Sequence, residues 1–347
     1  MSDSSQIVID LNAVILAVTD EEPRILAVPR GERSSDMSDT SDMSDTSDAP
    51  GSEPTEGDSG ILDSLPVGPL DPARDRTLEL GLRGWVREQT GVEVGYVEQL
   101  YTFGDRNRDP RESRGWPRVI SIAYLTLGRE SEPAAGSRAL WRAWYEYLPW
   151  EDWREGRPRI LERRVEPALG AWVDATTDSR LRQARRERVD ISFGLGGATW
   201  DGYRALDRYE LLYEVGLVPE AKRARGLPID PGDGHQLGRP MCFDHRRVLA
   251  TALSRLRGKI EFRPVVFELM PNVFTLFQLQ RVVEALSGQR LHKQNFRRLV
   301  EKGGLVEGTG DLASGTGGRP AELFRFRREV LRERPTPGVG LPALPAD

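Results

Sequence analysis

Apolar and polar positions along this chain change period several times, and the changes mark its elements. Near the start, Ile7, Ile9 and Leu11 alternate with Val8, Asp10 and Asn12 before a mostly apolar run from Ala13 to Val18. The polar stretch TDEEP then leads to a second run, Arg24 to Val28, so residues 7–28 are predicted as a β-hairpin. Over 70–90 the period becomes helical: Leu78, Leu82, Trp85 and Val86 share a face, and Thr90-Gly91 supplies a stop. Strand-like segments follow at Tyr96 to Phe103 and Val119 to Leu127, separated by the polar loop GDRNRDPRESRGWP. A helix is predicted over 243–259, where Val248, Leu249, Ala252, Leu253 and Leu256 form one stripe, Asp244 stands at the start and Gly258 near the end.

The most specific pattern lies in 274–327. Thr275 and Gln278 are spaced for a capping box, in which the hydroxyl accepts from the Gln278 amide and the Gln278 side chain reaches back. The helix behind them buries Leu276, Leu279, Val283 and Leu286. A turn, SGQRL, then leads to a second helix from about His292 to Lys302, with Phe296, Leu299 and Val300 predicted inward. Lys293, Gln294, Arg297 and Arg298 share its outer face, with Asn295 beside them. Arg and Lys pair with guanine O6 and N7, and Gln and Asn with adenine N6 and N7, so this face suits a major groove. Leu305 to Glu307, the loop GTGDLASGTGGRP and Leu323 to Phe326 then read as a hairpin wing. Arg319 falls at its tip and Arg325 on its second strand, where Arg meets phosphate or the minor groove. Helix, turn, basic helix and wing in this order predict a winged helix-turn-helix that binds double-stranded DNA through Thr275, Gln278, Lys293, Gln294, Asn295, Arg297, Arg298, Arg319 and Arg325. A small helical domain that packs on a protein is the alternative reading. The Gly-rich loop lacks GKS or GKT and is no phosphate loop.

Charge sharpens this picture. The 347 residues carry a net −5, yet 236–334 hold 19 Lys+Arg against 10 Asp+Glu, a balance of +9 that leaves −14 for the remainder. A basic module joined to an acidic one is the asymmetry expected when one part meets phosphate. With 38% hydrophobic and 30% charged residues, no apolar run of membrane-spanning length and no secretion signal, a soluble cytoplasmic chain with no membrane partner is expected. A single cysteine, Cys242, and three scattered histidines give neither an internal disulfide nor metal-ligand spacing.

Two stretches fit no simple element. Residues 34–66, with SDMSDTSDMSDTSD at their heart, are acidic and low in complexity and are predicted as a disordered insertion. Five of the eight tryptophans lie between Trp141 and Trp172. Such a cluster could stack on bases or on a ligand ring, but the core of a small helical insertion is the simpler reading. The basic run SRLRQARRERVD over 179–190 is read as a solvated helix face.

The stretch DRTLELGLRGWVREQTGVEVGYVEQLYTFGD with the later GWPRVISIAYLTL resembles a Nudix domain. Together with MCFDHRRVLATALSRLRGKIEFRPVVFELMP, FTLFQLQRVVEAL, LHKQNFRRLVEKGGLVEGTG and GGRPAELFRFR, the chain is similar to the NrtR-like Nudix-related transcriptional regulators of NAD metabolism. That resemblance implies an α+β protein: a Nudix-type α/β/α sandwich with a helical insertion, followed by a C-terminal winged helix-turn-helix. The corresponding division is 1–128 as a Nudix-like ligand-sensing domain, 129–235 as the Trp-rich insertion and return to the Nudix core, 236–260 as a linker helix, 261–334 as the winged helix and 335–347 as a flexible tail. A Nudix hydrolase box ends Arg-Glu-apolar-any-Glu-Glu-any-Gly. Aligned on Thr90-Gly91, this chain reads Gly84, Trp85, Val86, Arg87, Glu88, Gln89, Thr90, Gly91. Only Glu88 remains of the three carboxylates, so no metal site, no cofactor and no hydrolysis are expected. The resemblance implies instead that ADP-ribose or a related nucleotide acts as an effector, held by Tyr101, Phe103, Asp105, Arg106, Arg118 and Glu88. It further implies a homodimeric repressor of NAD biosynthesis or salvage genes. The alternative is an active hydrolase of nucleoside diphosphate derivatives that its C-terminal module tethers to nucleic acid.

Overall fold

The computed structural model describes residues 7–31, 61–106, 109, 112, 115–228, 237–313, 320–334 and 337–339. Its centre is a mixed seven-stranded sheet of order β3-β2-β1-β6-β5, with β4 paired to β1 and β7 to β2. The strands are β1 (Ile7–Thr19), β2 (Glu22–Gly31), β3 (Ile61–Ser64), β4 (Val67–Pro69), β5 (Tyr96–Phe103), β6 (Arg118–Leu127) and β7 (Leu140–Ala143). β1 and β2 form the expected hairpin through a two-residue turn, Asp20-Glu21, whose φ angles of 51° and 65° are left-handed. Two positive φ values in a row match the twist of the flanking strands. Arg154 holds the turn, donating to the Glu21 carbonyl at 2.7 Å and to the Glu22 carboxylate at 2.9 Å. β6 runs parallel to β1 from Ile7↔Arg118 to Leu16↔Leu127. It is apolar on both faces because both faces are covered.

On one face lies α1 (Leu78–Thr90), capped by Thr77 and ended by Gly91. Leu82 and Val86 pack there with Leu11, Ala13, Ile15 and Tyr124. The helix begins at Leu78 rather than near Leu70, because Asp71 and Asp75 organise the preceding residues into a turn. On the other face, Val14, Leu16, Phe103 and Leu125 join one continuous core with α6 (His245–Phe262) and the helices between: α2 (Glu166–Asp174), α3 (Ser179–Phe193), α4 (Ala205–Val215) and α5 (Pro219–Ala224). The chain is thus an α/β/α sandwich carrying a helical insertion. Trp144 and Trp150 are buried in this core, and Trp153 packs against Trp200 with centroids 4.5 Å apart and ring planes tilted by 44°. Trp144 and Trp150 are interior packing while Trp141 and Trp172 are half-buried, and the basic α3 exposes most of its arginines. Among the described residues no helix is long and apolar enough to cross a membrane.

Two expectations are corrected. The insertion expected over 34–66 ends sooner, because 61–64 pairs with β2 as β3 and Leu65 is fully buried; residues 34–60 lie outside the described residues. Ile61, Leu62 and Leu65 supply the apolar surface that the acidic repeat lacks. The tail expected to be flexible from 335 contains Val339, which is 1% exposed and donates its amide to the Ile260 carbonyl at 2.8 Å.

Beyond α6, a 3-10 turn (Val265–Leu269) leads to α7 (Leu276–Ser287), α8 (Lys293–Gly303), the hairpin β8 (Val306–Ala313) and β9 (Ala321–Phe326), and α9 (Val330–Glu333). Phe274 and Phe324 exchange backbone hydrogen bonds at 2.9 and 2.8 Å, adding a third strand position to the hairpin. This is a winged helix. It is joined to the insertion by a buried ionic knot. Glu151 accepts from Arg208 of α4 at 2.6 and 2.8 Å and from Arg257 of α6 at 2.5 Å. Arg257 also donates to the Leu286 carbonyl at the end of α7. Burial alone would raise the Glu151 pKa, but the two guanidiniums hold it below its ordinary 4.5.

Removing one partner of a buried pair strands the other's charge. Glu151→Ala is therefore expected to lower stability by about 3–5 kcal/mol, read as a shifted urea midpoint. Since the folded-state pKa of Glu151 is depressed, its contribution is complete above the ordinary value of 4.5 and is lost as pH falls below it. Glu151→Gln should flatten that part of the stability-versus-pH curve.

Candidate nucleic-acid interface and ligand-binding edge

The recognition surface is built from α7 upward. Thr275 caps α7 as the spacing predicts: its hydroxyl accepts from the Gln278 amide at 3.2 Å, and its own amide donates to Gln278 Oε1 at 2.8 Å. At the far end, Gly288 adopts φ 72°. Between α7 and α8, Glu284 organises the turn. It is 2% exposed and accepts from the Leu291 amide at 2.9 Å, Gln280 at 2.8 Å, Arg281 at 3.0 Å and Arg290 at 3.1 Å. Burial would raise its pKa, but these donors hold the carboxyl below the ordinary value. Gln280 also donates to the Leu291 carbonyl at 2.8 Å, so both backbone groups of Leu291 are clamped two residues before α8 begins.

On α8, Phe296 and Val300 are buried, as expected. Leu299, expected inward, is 36% exposed, since it falls a turn-fraction outside the narrow stripe that two buried residues define. Lys293, Gln294, Asn295, Arg297 and Arg298 are all exposed and make no hydrogen bond or ion pair among the described residues. Five donor-bearing side chains on one helix, none neutralised within the fold, form a surface open to an anionic partner. Thr275 does not belong to it: at 8% exposure its hydroxyl serves the cap. Gln278 is exposed, although its side-chain oxygen is used by the Thr275 amide. Arg325 is exposed on β9 and pairs with Glu307 across the hairpin at 2.6 Å. Arg319 lies outside the described residues.

The residues expected to hold a nucleotide separate into two places. Tyr101, Phe103, Asp105, Arg106 and Arg118 gather where β5 ends and β6 begins. Tyr101 is 52% exposed and edges onto Phe103, centroids 5.1 Å apart. Phe103 is 2% exposed, so it backs Tyr101 and is not itself an open stacking surface. Arg106 is exposed, and Arg118 donates to the Gly104 carbonyl at 2.5 Å. Asp105 pairs at 2.5 Å with Arg247 of α6, which also binds Glu210 of α4. Sequence reasoning missed Arg247, Arg208 and Arg257. Arg246 and Arg257 stand eleven residues apart, close to three helical turns, and therefore lie along the buried stripe of α6, which was the available signal.

Glu88 stands apart, on α1 across the sheet, paired with Arg74. Its neighbours in the hydrolase-box alignment are structural. The Trp85 indole donates to the Pro69 carbonyl at 2.7 Å, and Gln89 bonds both the amide and the carbonyl of Val67, at 3.2 and 2.6 Å. A Cβ on Gly68 would lie 2.1 Å from the Trp85 ring. Trp85 and Gln89 thus pin β4 to α1. Among the described residues no group of three or more His, Cys, Asp or Glu could hold a metal ion.

The family model of the NrtR DNA-binding winged helix domain matches residues 266–326. An ADPR responsive transcriptional repressor, NtrR, from Acinetobacter baylyi is 41% identical over 263 residues, 76% of this chain and 69% of that protein. The chain belongs to the NrtR family. The fold agrees across nearly the whole length. NrtR of Shewanella oneidensis, crystallised with a 27mer DNA, superposes with a TM-score of 0.52 at 20% identity, covering 97% of this chain and 99% of that one. A MutT/nudix family protein of Enterococcus faecalis gives a TM-score of 0.50 at 15% identity, over 94% of this chain and 89% of its own. In this NrtR-family chain the α7–α8 turn also touches the insertion: the Trp153 amide donates to the Gly288 carbonyl at 2.7 Å.

A Cβ on Gly288 would come 2.4 Å from the Glu151 carbonyl, at a φ that L side chains rarely adopt. Gly288→Ala should therefore cost about 1–3 kcal/mol of stability. A thermal melt at the wild-type midpoint would refute the close approach.

Proposed function

We propose that this protein is a transcriptional repressor that reads an operator with α8 and responds to ADP-ribose or a related nucleotide through its sheet domain. The observation that carries this reading is the unneutralised outer face of α8, where Lys293, Gln294, Asn295, Arg297 and Arg298 stand free among the described residues. Inserted in a major groove, Arg297 and Arg298 would pair with guanine and the amides of Gln294 and Asn295 with adenine. Arg325 and Arg319 would meet the backbone or the minor groove beside it. The name of the Acinetobacter relative and membership of the family support the sign of regulation and the effector. A homodimer is proposed because two recognition helices one DNA turn apart match a palindromic operator. We assign 1–128 with 129–235 to sensing, 236–260 to connection and 261–334 to DNA binding. Genes of NAD synthesis or salvage are the proposed targets, and the cytoplasm the proposed location.

For the effector, Tyr101 offers the open ring for a base and Arg106 and Arg118 offer cations for a pyrophosphate. Asp105 would accept from a ribose hydroxyl, and doing so would compete with Arg247. Because Arg247 belongs to α6, a ligand that takes Asp105 changes the charge balance of the helix leading to the DNA-binding domain. An effector shifts the equilibrium by its difference in affinity for the two arrangements. The protein acts without hydrolysing its effector in this reading, since Trp85 and Gln89 occupy two of the carboxylate positions.

A gel shift with DNA from upstream of the gene itself should show retardation that ADP-ribose weakens. Arg297→Ala should cost about 1–3 kcal/mol in affinity and relax sequence preference; unchanged binding would remove Arg297 from the interface. Incubation with ADP-ribose and Mg²⁺ is expected to release no AMP, and steady turnover would restore the hydrolase alternative.

A further inference from the structure

The sheet carries a second concave site, at the end of β5 and β6 opposite the Tyr101 edge. Strand register sets Phe103 against Ser121 at one end and Tyr96 against Leu127 at the other, about 20 Å away at the rise of an antiparallel strand. The cavity has a volume of about 460 Å³. Its floor holds Thr126, which is 1% exposed and whose hydroxyl has no hydrogen-bond partner among the described residues. Beside it is Glu130. One carboxylate oxygen lies 3.4 Å from Arg24, while the other is buried without a hydrogen-bond partner. The Trp141 indole forms a wall, oriented by its donation to the Ser131 carbonyl at 2.8 Å. Exposed Glu93 and Glu268 stand at the rim, against one lining cation, Arg129.

These features select one chemistry. Buried acceptors left unsatisfied are costly, so the occupant must bring N–H donors. The three carboxylates face Arg129 and the Arg24 paired to Glu130, an excess of one negative charge that favours a positive occupant, and an indole face attracts a planar cation. The volume suits one ring or two fused rings. We propose that this cavity is a binding site for a small planar nitrogenous cation of the amidinium class. Its amino groups would donate to Glu130 and to the Thr126 hydroxyl, with its ring against Trp141. Glu268 belongs to the 3-10 turn that opens the winged helix, whereas Thr126, Glu130 and Trp141 belong to the sheet domain. An occupant would therefore bridge the two modules along their seam. The site is independent of the nucleotide edge and does not rest on the reading of that edge.

Isothermal titration of the full chain with benzamidine, and with neutral benzamide as the isosteric control, tests the proposal. Saturable one-to-one binding of benzamidine is expected, with benzamide at least about tenfold weaker. Glu130→Gln should weaken benzamidine about tenfold and Thr126→Val about threefold. Glu268→Gln, at an exposed position that leaves folding intact, should also weaken it and serves if Glu130→Gln does not fold. Gel shift without benzamidine should be unchanged in Glu268→Gln, which separates this site from the DNA-binding surface. Absence of saturable heat, equal affinity for benzamide, or full affinity in both glutamine variants would overturn the assignment.

Discussion

One buried carboxylate, Glu151, lies at the centre of the joint between the sheet domain with its insertion and the winged helix. Sealed from water, it is tolerable only because Arg208 and Arg257 approach from α4 and α6, each with five N–H donors to share between it and nearby carbonyls. A buried ion pair is weak evidence for net stability, since desolvation offsets much of the attraction. Its value is positional: each guanidinium is fixed by at least four hydrogen bonds at once. Arg257 then has no freedom to leave the end of α7 without abandoning the Leu286 carbonyl or Glu151. The adjoining Tyr145, whose hydroxyl donates to the Ala285 carbonyl, is pushed up to about 12 by burial, so it remains a donor at every physiological pH.

From this constraint the relation between the two surfaces follows. α6 touches both: near its start Arg247 binds Asp105 beside the Tyr101 edge, and three turns later Arg257 binds the α7 terminus. The hairpin turn of the sheet is held from two sides, by Arg154 of the insertion and Arg281 of α7, the latter 3.2 Å from Glu21. The insertion is thus the mortar between modules, and its tryptophans fill that joint. Arg208 lies 3.8 Å over the Trp200 ring, closing the knot from outside with an aromatic face.

What could be read from the chain alone was whatever repeats locally. The stripes of α1 and α6, the capping box at Thr275 and the polar face of α8 are patterns within a dozen residues, and they reappear in the fold. What escaped detection pairs residues across the chain: Asp105 with Arg247, Glu151 with Arg257, Tyr147 with Asp63. No local periodicity encodes a partner more than 80 positions away. Local reading also failed where context misled it. The acidic repeat next to 61–66 masks their apolar character although Leu65 is core, and residue type alone places Leu299 inward although it is exposed. Of the expected effector residues, five adjoin one another, while Glu88, named from the box alignment, lies across the sheet. Motif alignment specifies a position along the chain but not its distance from the loops.

Gly288 has a mechanical corollary. The insertion grips the chain at this residue through the Trp153 amide, and α8, an 11-residue helix, starts five positions later. Eleven residues span about 16 Å, so pivoting that rod by about 10° would carry its far end roughly 3 Å, comparable to the length of one hydrogen bond. A sub-ångström slip at the grip, too slight to disturb any core, could therefore take a guanidinium out of reach of a base edge. Sensitivity of this kind comes from leverage, and it asks for no large rearrangement of either module.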